Sequence, residues 1–116
     1  MHDLIRPAFY GAYHEIVPLT KKSGEKLKSD VVGPICESGD YFCQDRPLPR
    51  VGEGDLLALM SAGAYGFAMA GNYNTRPLAA EVLVHGRRSA AVRARQSVKD
   101  ILAGEKVVAW LKQAGE

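Results

Sequence analysis

The chain has 116 residues, enough for one domain with a modest hydrophobic core. Its 15 Lys and Arg against 13 Asp and Glu leave a net charge of +2, with the two signs interspersed. That balance points away from a nucleic-acid groove or a polybasic membrane patch, and the apolar runs are too short to span a bilayer. The N-terminal stretch Met1-His2-Asp3-Leu4-Ile5-Arg6-Pro7 lacks the basic and apolar regions of a signal peptide, so a cytoplasmic location is expected. Cys36 and Cys43 have six residues between them, which is neither a zinc knuckle nor a redox pair; both are expected to be free thiols. His2, His14 and His85 are scattered, and no metal site is expected.

In chain order, Asp3 can cap a short helical turn that Pro7 would bend or end. Arg6 and Tyr10 then fall on one face of that turn. They read either as a surface cation and a packing ring, or as a guanidinium and a phenol converging on an anion. Residues 12–19 are expected to form a strand, residues 21–28 a solvated loop, and residues 30–36 a second strand ending at Cys36. Beyond Gly33-Pro34 the chain sets Cys36 and Glu37 side by side and closes in Ser38-Gly39-Asp40. A buried strand has little use for that order, whereas a strand end that presents a thiol and an anion does.

Residues 43–54 are rich in turn formers, and Pro47 and Pro49 argue against a helix or a central strand. Residues 55–62 are apolar, short and bounded by glycines, which favours a strand. In residues 62–77, Gly63, Gly66 and Gly71 allow close backbone approach, and Tyr65 stands between two of them. Its phenol either plugs the loop or reaches a phosphate or ring. The spacing does not match a dinucleotide fingerprint. Residues 78–85 and 88–94 are expected to pair as a hairpin. Ser97 is placed to cap a helix over residues 98–102 that stops near Gly104. A last helix over residues 105–114 carries Val107, Val108 and Leu111 on one stripe beside Trp110, expected to serve packing. The fold class read from this pattern is mainly β, a small β-barrel or sandwich with one or two short C-terminal helices.

Four stretches together carry a family resemblance: Asp3-Leu4-Ile5-Arg6-Pro7 with Tyr10-Gly11-Ala12, Gly33-Pro34 with Cys36-Glu37-Ser38-Gly39-Asp40, Gly63-Ala64-Tyr65-Gly66, and Tyr73-Asn74 with Arg76-Pro77. In this order they resemble the C-terminal portion of the diaminopimelate decarboxylases, which use pyridoxal 5'-phosphate (PLP) within the alanine-racemase-like fold group. The resemblance implies a C-terminal β-domain over residues 1–116. The coenzyme-bearing lysine belongs to an N-terminal (β/α)8 barrel that this stretch does not match, so Met1 is expected to be an internal position of a longer protein.

It also implies roles. Arg6 and Tyr10 would hold a substrate carboxylate. Cys36 and Glu37 would enter the partner subunit's site across a homodimer interface. There Glu37 would meet the distal ammonium of the substrate, and Cys36 would help return a proton to the carbon that loses CO2. A thiol suits that task. Tyr65 would lie at the PLP phosphate and the substrate. Asp40 is expected to order its turn, and the Asn74 and Arg76 loop to be structural. The implied substrate is a small amino acid, meso-2,6-diaminopimelate, and the product L-lysine. Related ornithine, arginine or carboxynorspermidine decarboxylases resemble the chain more loosely. A free-standing binding or dimerisation domain is the alternative from another class, and the isolated chain is expected to be inactive.

Overall fold

The computed structural model describes residues 1–112, the side chain of Lys112 excepted. The chain forms two compact units, Met1–Asn74 and Thr75–Glu116. The first begins with a helix, α1 (Arg6–Tyr10), followed by strands β1 (Ile16–Pro18), β2 (Lys26–Val32), β3 (Tyr41–Pro49) and β4 (Leu57–Leu59). A short helix, α2 (Gly66–Met69), follows, and a 3-10 turn at Tyr73–Thr75 spans the boundary at Asn74. The second unit holds strands β5 (Glu81–His85) and β6 (Arg88–Arg93) and helices α3 (Val98–Leu102) and α4 (Ala109–Lys112).

The strands pair as three antiparallel two-stranded ladders, β1 with β4, β2 with β3, and β5 with β6. The chain is thus mainly β, but among the described residues these ladders do not close into a barrel. The core of the first unit is small. Ile16, Cys43 and Leu48 are buried, and Val31, Phe42, Leu57 and Leu59 pack around them.

Cys43 and Leu48 are five residues apart on β3, a spacing that would send regular-strand side chains to opposite faces. A bulge resolves this. Ser29 stands opposite Arg46 and Val31 opposite Cys43, so β3 spends an extra residue between those rungs. Asp45 takes up that irregularity with φ 52°, and its N–H donates to Asp30 Oδ1 at 2.7 Å. Both apolar side chains therefore face one core.

Several expectations shift in position. Asp3 caps nothing: Ile5 is the N-cap of α1 without a side-chain bond, and Pro7 lies in the first turn, where its missing N–H is harmless. Pro7 therefore starts the helix and does not end it. The strand expected over residues 12–19 shrinks to Ile16–Pro18, because the preceding residues serve loop contacts described below. Strand β2 begins at Lys26, inside the expected loop, and stops at Val32, so Cys36 lies beyond the strand end. The turn-rich reading of residues 43–54 fails for β3. Among the described residues β3 pairs only with β2, and an edge strand tolerates Pro47 and Pro49.

The hairpin of β5 and β6 forms as expected around Gly86, which has φ 58° at the first turn position. Helix α3 carries the expected cap in full, with Ser97 Oγ accepting from the Asp100 N–H and Asp100 Oδ2 accepting from the Ser97 N–H. Helix α4 is shorter than the expected span, and Ala114 lies outside the described residues. Val107, Val108, Trp110 and Leu111, expected to pack, are exposed. No described helix is long and apolar enough to cross a membrane.

Candidate functional site

The Cys36–Glu37 turn is built on one buried carboxylate. Strand β2 ends at Val32, and the chain returns to β3 through Gly33 to Asp40. The Gly33 N–H donates to Asp40 O at 2.8 Å, and the Asp40 N–H donates to Glu37 O at 2.9 Å. Asp40 itself is 3% exposed. Its Oδ2 accepts the Ile35 N–H at 2.7 Å, and its Oδ1 accepts from the Met1 amino group. A buried carboxylate is tolerable only when bonded in this way. Asp40 thus orders the turn, as expected. Gly33 is required by space: a Cβ there would lie 2.6 Å from Asp40 Cγ.

With its base fixed, the turn presents the Cys36 thiol and the Glu37 carboxylate to solvent. Glu37 Oε1 accepts the Gly39 N–H at 3.3 Å and lines an open cleft of about 350 Å³ with Ile5, Met69 and Tyr73. Asn74 Nδ2 lies 3.6 Å from Cys36 Sγ, so the amide donates to sulfur. Asn74 was expected to be structural only, and this contact escaped the sequence reading. The available signal is its residue type. Asn tolerates the left-handed backbone that it adopts here, with φ 56°. The second thiol, Cys43, is buried in the core.

A second group forms on α1 and the loop after β4. The guanidinium of Arg6 lies over the Tyr65 ring, 5.3 Å from its centroid. Tyr65 is the N-cap of α2 and holds φ 63°, so a non-glycine residue takes the left-handed region between Ala64 and Gly66. Tyr65 as a whole is 65% exposed. Tyr10 follows Arg6 by one turn of α1, is exposed, and stacks edge-on against Phe9 with centroids 4.9 Å apart. Gly11 ends the helix with φ 61°, and the Ala12 N–H donates back to Arg6 O at 3.3 Å.

The structure therefore joins Arg6 with Tyr65, and Cys36 with Asn74. The two groups are neighbours through α1, because a Cβ on Gly39 would stand 3.9 Å from Ala8 Cβ. The donor set of the first group, a planar guanidinium and a phenol, suits a phosphate or a carboxylate. Those are the anionic groups of PLP and of an amino acid, so the residues present fit the coenzyme that the resemblance implies. Among the described residues no three His, Cys, Asp or Glu side chains gather as metal ligands.

Comparison with known proteins extends this picture. The family model described as "Pyridoxal-dependent decarboxylase, C-terminal sheet domain" matches residues 1–63. A diaminopimelate decarboxylase of Zymomonas mobilis is 52% identical over 111 residues, which cover 96% of this chain and 26% of that protein. A crystal structure of diaminopimelate decarboxylase from M. jannaschii in complex with L-lysine superposes with a TM-score of 0.89 at 40% identity, covering 96% of this chain and 25% of that one. The enzyme from Helicobacter pylori, also complexed with L-lysine, superposes with a TM-score of 0.81 at 36% identity over the whole of this chain and 27% of its own. This chain spans about a quarter of the length of such relatives. With the matched segment holding α1, the core strands and the Cys36–Glu37 turn, the chain belongs to the family of pyridoxal-dependent decarboxylase C-terminal sheet domains.

Proposed function

We propose that this chain, over residues 1–116, is the C-terminal sheet domain of a cytoplasmic, homodimeric diaminopimelate decarboxylase. The observation that carries the reading is the turn locked by Asp40, which presents a thiol and a carboxylate together beside the helix that bears Arg6. In this reading the rest of the enzyme supplies the coenzyme lysine, and strands from it close the ladders into a barrel or sandwich.

The substrate carries an amino-acid group at each end. Arg6 and Tyr10 hold a substrate carboxylate, the guanidinium by paired N–H bonds and the phenol by its O–H. Glu37, carried into the site of the partner subunit, receives the distal ammonium. Tyr65 keeps its ring under Arg6 and directs its phenol to the phosphate and the substrate. Bound PLP supplies the electron sink for the pair left behind when the C–CO2 bond breaks. Cys36 then gives its S–H proton to that carbon and recovers one from water. The products are L-lysine and CO2.

Lysine named in two of the matched structures supports this substrate over ornithine or arginine. The test is to seat this chain in place of the matching C-terminal quarter of the Zymomonas mobilis relative. Release of lysine from meso-diaminopimelate, with ornithine and arginine left untouched, is the expected result. A folded, PLP-loaded hybrid that acts only on ornithine or arginine would move the assignment to those enzymes.

A further inference from the structure

His14 is the largest fully buried side chain among the described residues, at 2% exposure, yet it lies in neither a strand nor a helix. Its Nδ1 stands 3.1 Å from Met60 O. A carbonyl only accepts, so Nδ1 carries the hydrogen and a neutral ring keeps its lone pair on Nε2. That second nitrogen is buried with no hydrogen-bond partner. The ring is thus held for a single bond, at the cost of an unmatched polar atom.

The bond closes on a particular residue. Met60 also donates its N–H to Glu15 O at 2.7 Å, so the residue pair 14–15 grips Met60 at both its amide and its carbonyl. Met60 is the root of the loop that carries Tyr65. Directly after it Ser61 takes φ 54°, and Tyr65 takes φ 63°. Non-glycine residues hold such angles only where their surroundings impose them. His14 is itself fastened from the other side: Arg46 Nη1 donates to His14 O at 2.5 Å, while its guanidinium lies 4.4 Å from the Tyr13 ring centroid. His14 also follows α1 closely in sequence, so it ties the segment leaving Arg6 to the segment entering the Tyr65 loop.

From this geometry we infer that His14 is a positioning residue, whose Nδ1–H bond to Met60 O sets Tyr65 against Arg6 for the coenzyme and substrate anions. The inference rests on the reading of Tyr65 given above.

Asn and Gln separate the bond from the bulk. In His14→Asn the amide nitrogen can stand near the position of Nδ1, and in His14→Gln near that of Nε2. His14→Leu keeps volume and no donor. Hydrogen exchange on this chain reports the loop directly. Leu and Gln are expected to speed exchange in residues 61–66 by about tenfold, with Asn close to the parent. In the holoenzyme containing this chain, the PLP dissociation constant and KM for meso-diaminopimelate should rise about tenfold for Leu and Gln, and within about twofold for Asn. Adding His14→Leu to Tyr65→Ala should weaken PLP no further. If Asn behaves as Leu does, or the Leu and Tyr65→Ala losses simply add, His14 is only a core residue and the inference falls. Should Tyr65→Ala leave PLP and substrate binding intact, the reading of Tyr65 fails first and takes this role with it. Should the Leu variant not fold, the contrast between Asn and Gln decides alone.

Discussion

Replacing Asp40 by alanine tests whether one carboxylate holds the Cys36–Glu37 turn. The substitution strips the acceptor from the buried Ile35 N–H, now bonded at 2.7 Å, and from the Met1 nitrogen. A buried donor left unsatisfied costs about 1–3 kcal/mol. Part of that loss is returned, because the carboxylate no longer has to be desolvated. Gly33→Ala attacks the same turn from the opposite side, since its Cβ would fall 2.6 Å from Asp40 Cγ. Overpacking of that kind costs about 1–3 kcal/mol. The decisive measurement is the double variant. With Asp40 already cut to alanine the new methyl has room, so Gly33→Ala should then cost little, leaving a coupling of about 1–2 kcal/mol. Urea unfolding of the four proteins gives all the terms. Additivity within about 0.5 kcal/mol would mean that the two positions do not share one space and that the turn is held otherwise.

Iodoacetamide should modify exposed Cys36 first and leave Cys43 protected until the chain unfolds, as mass spectrometry of peptides would show. Asp55 is held below its ordinary carboxylate pKa by the Gly52 N–H, and then by Lys22. A carboxyl depressed on folding stabilises above its unfolded pKa and stops doing so as pH falls through the folded value. The difference in Tm between the parent chain and Asp55→Asn should therefore shrink as pH drops below about 3.9, and a difference that grew would reverse the sign argued here. Ser97→Ala should cost α3 about 1 kcal/mol, read as faster amide exchange in Val98–Leu102. The apolar faces of Val82, Leu83, Val84 and Val92 on the exposed hairpin should make the isolated chain self-associate, so sedimentation as a clean monomer at micromolar concentration would count against an uncovered patch.

What the sequence made legible depended on how local the cause was. The β5–β6 hairpin and the α3 cap were readable because a two-residue turn with Gly86 and a Ser97–Asp100 box act within a few residues. Arg6, Tyr10, Cys36, Glu37 and Tyr65 stand out in the sequence through the family likeness, and the structure leaves all but Arg6 exposed. Strand β3 was not legible. Its prolines argue for a turn, and only its edge position and the bulge at Asp45 reconcile them with a ladder. Nor could His14 or Asn74 be assigned, because their partners, Met60 and Cys36, lie 46 and 38 residues away. The apolar stripe of Val107, Val108 and Leu111 is exposed among the described residues. Periodicity shows that a face is apolar, but not whether a partner is present to cover it.

The location of the polar burial explains how so small a core can hold a site. The buried apolar cluster of the first unit is only Ile16, Cys43 and Leu48, and none of the candidate site residues sits in it. Hydrophobic packing cannot by itself fix the Cys36–Glu37 turn or the Tyr65 loop, since both lie outside the ladders. Each instead has one buried polar side chain at its root: Asp40 for the turn, and His14 for the loop. Hydrogen bonds are directional where burial is not, so a single bonded carboxylate or imidazole can set the angle of a loop that apolar contacts would leave free. The cost is the desolvation of those groups and, at His14, an unmatched nitrogen. An apolar residue of equal volume at either position would leave the Ile35 N–H or the Met60 carbonyl without its side-chain partner. The same two bonds thus contribute to the stability of the fold and fix the roots of the segments that carry Cys36, Glu37 and Tyr65.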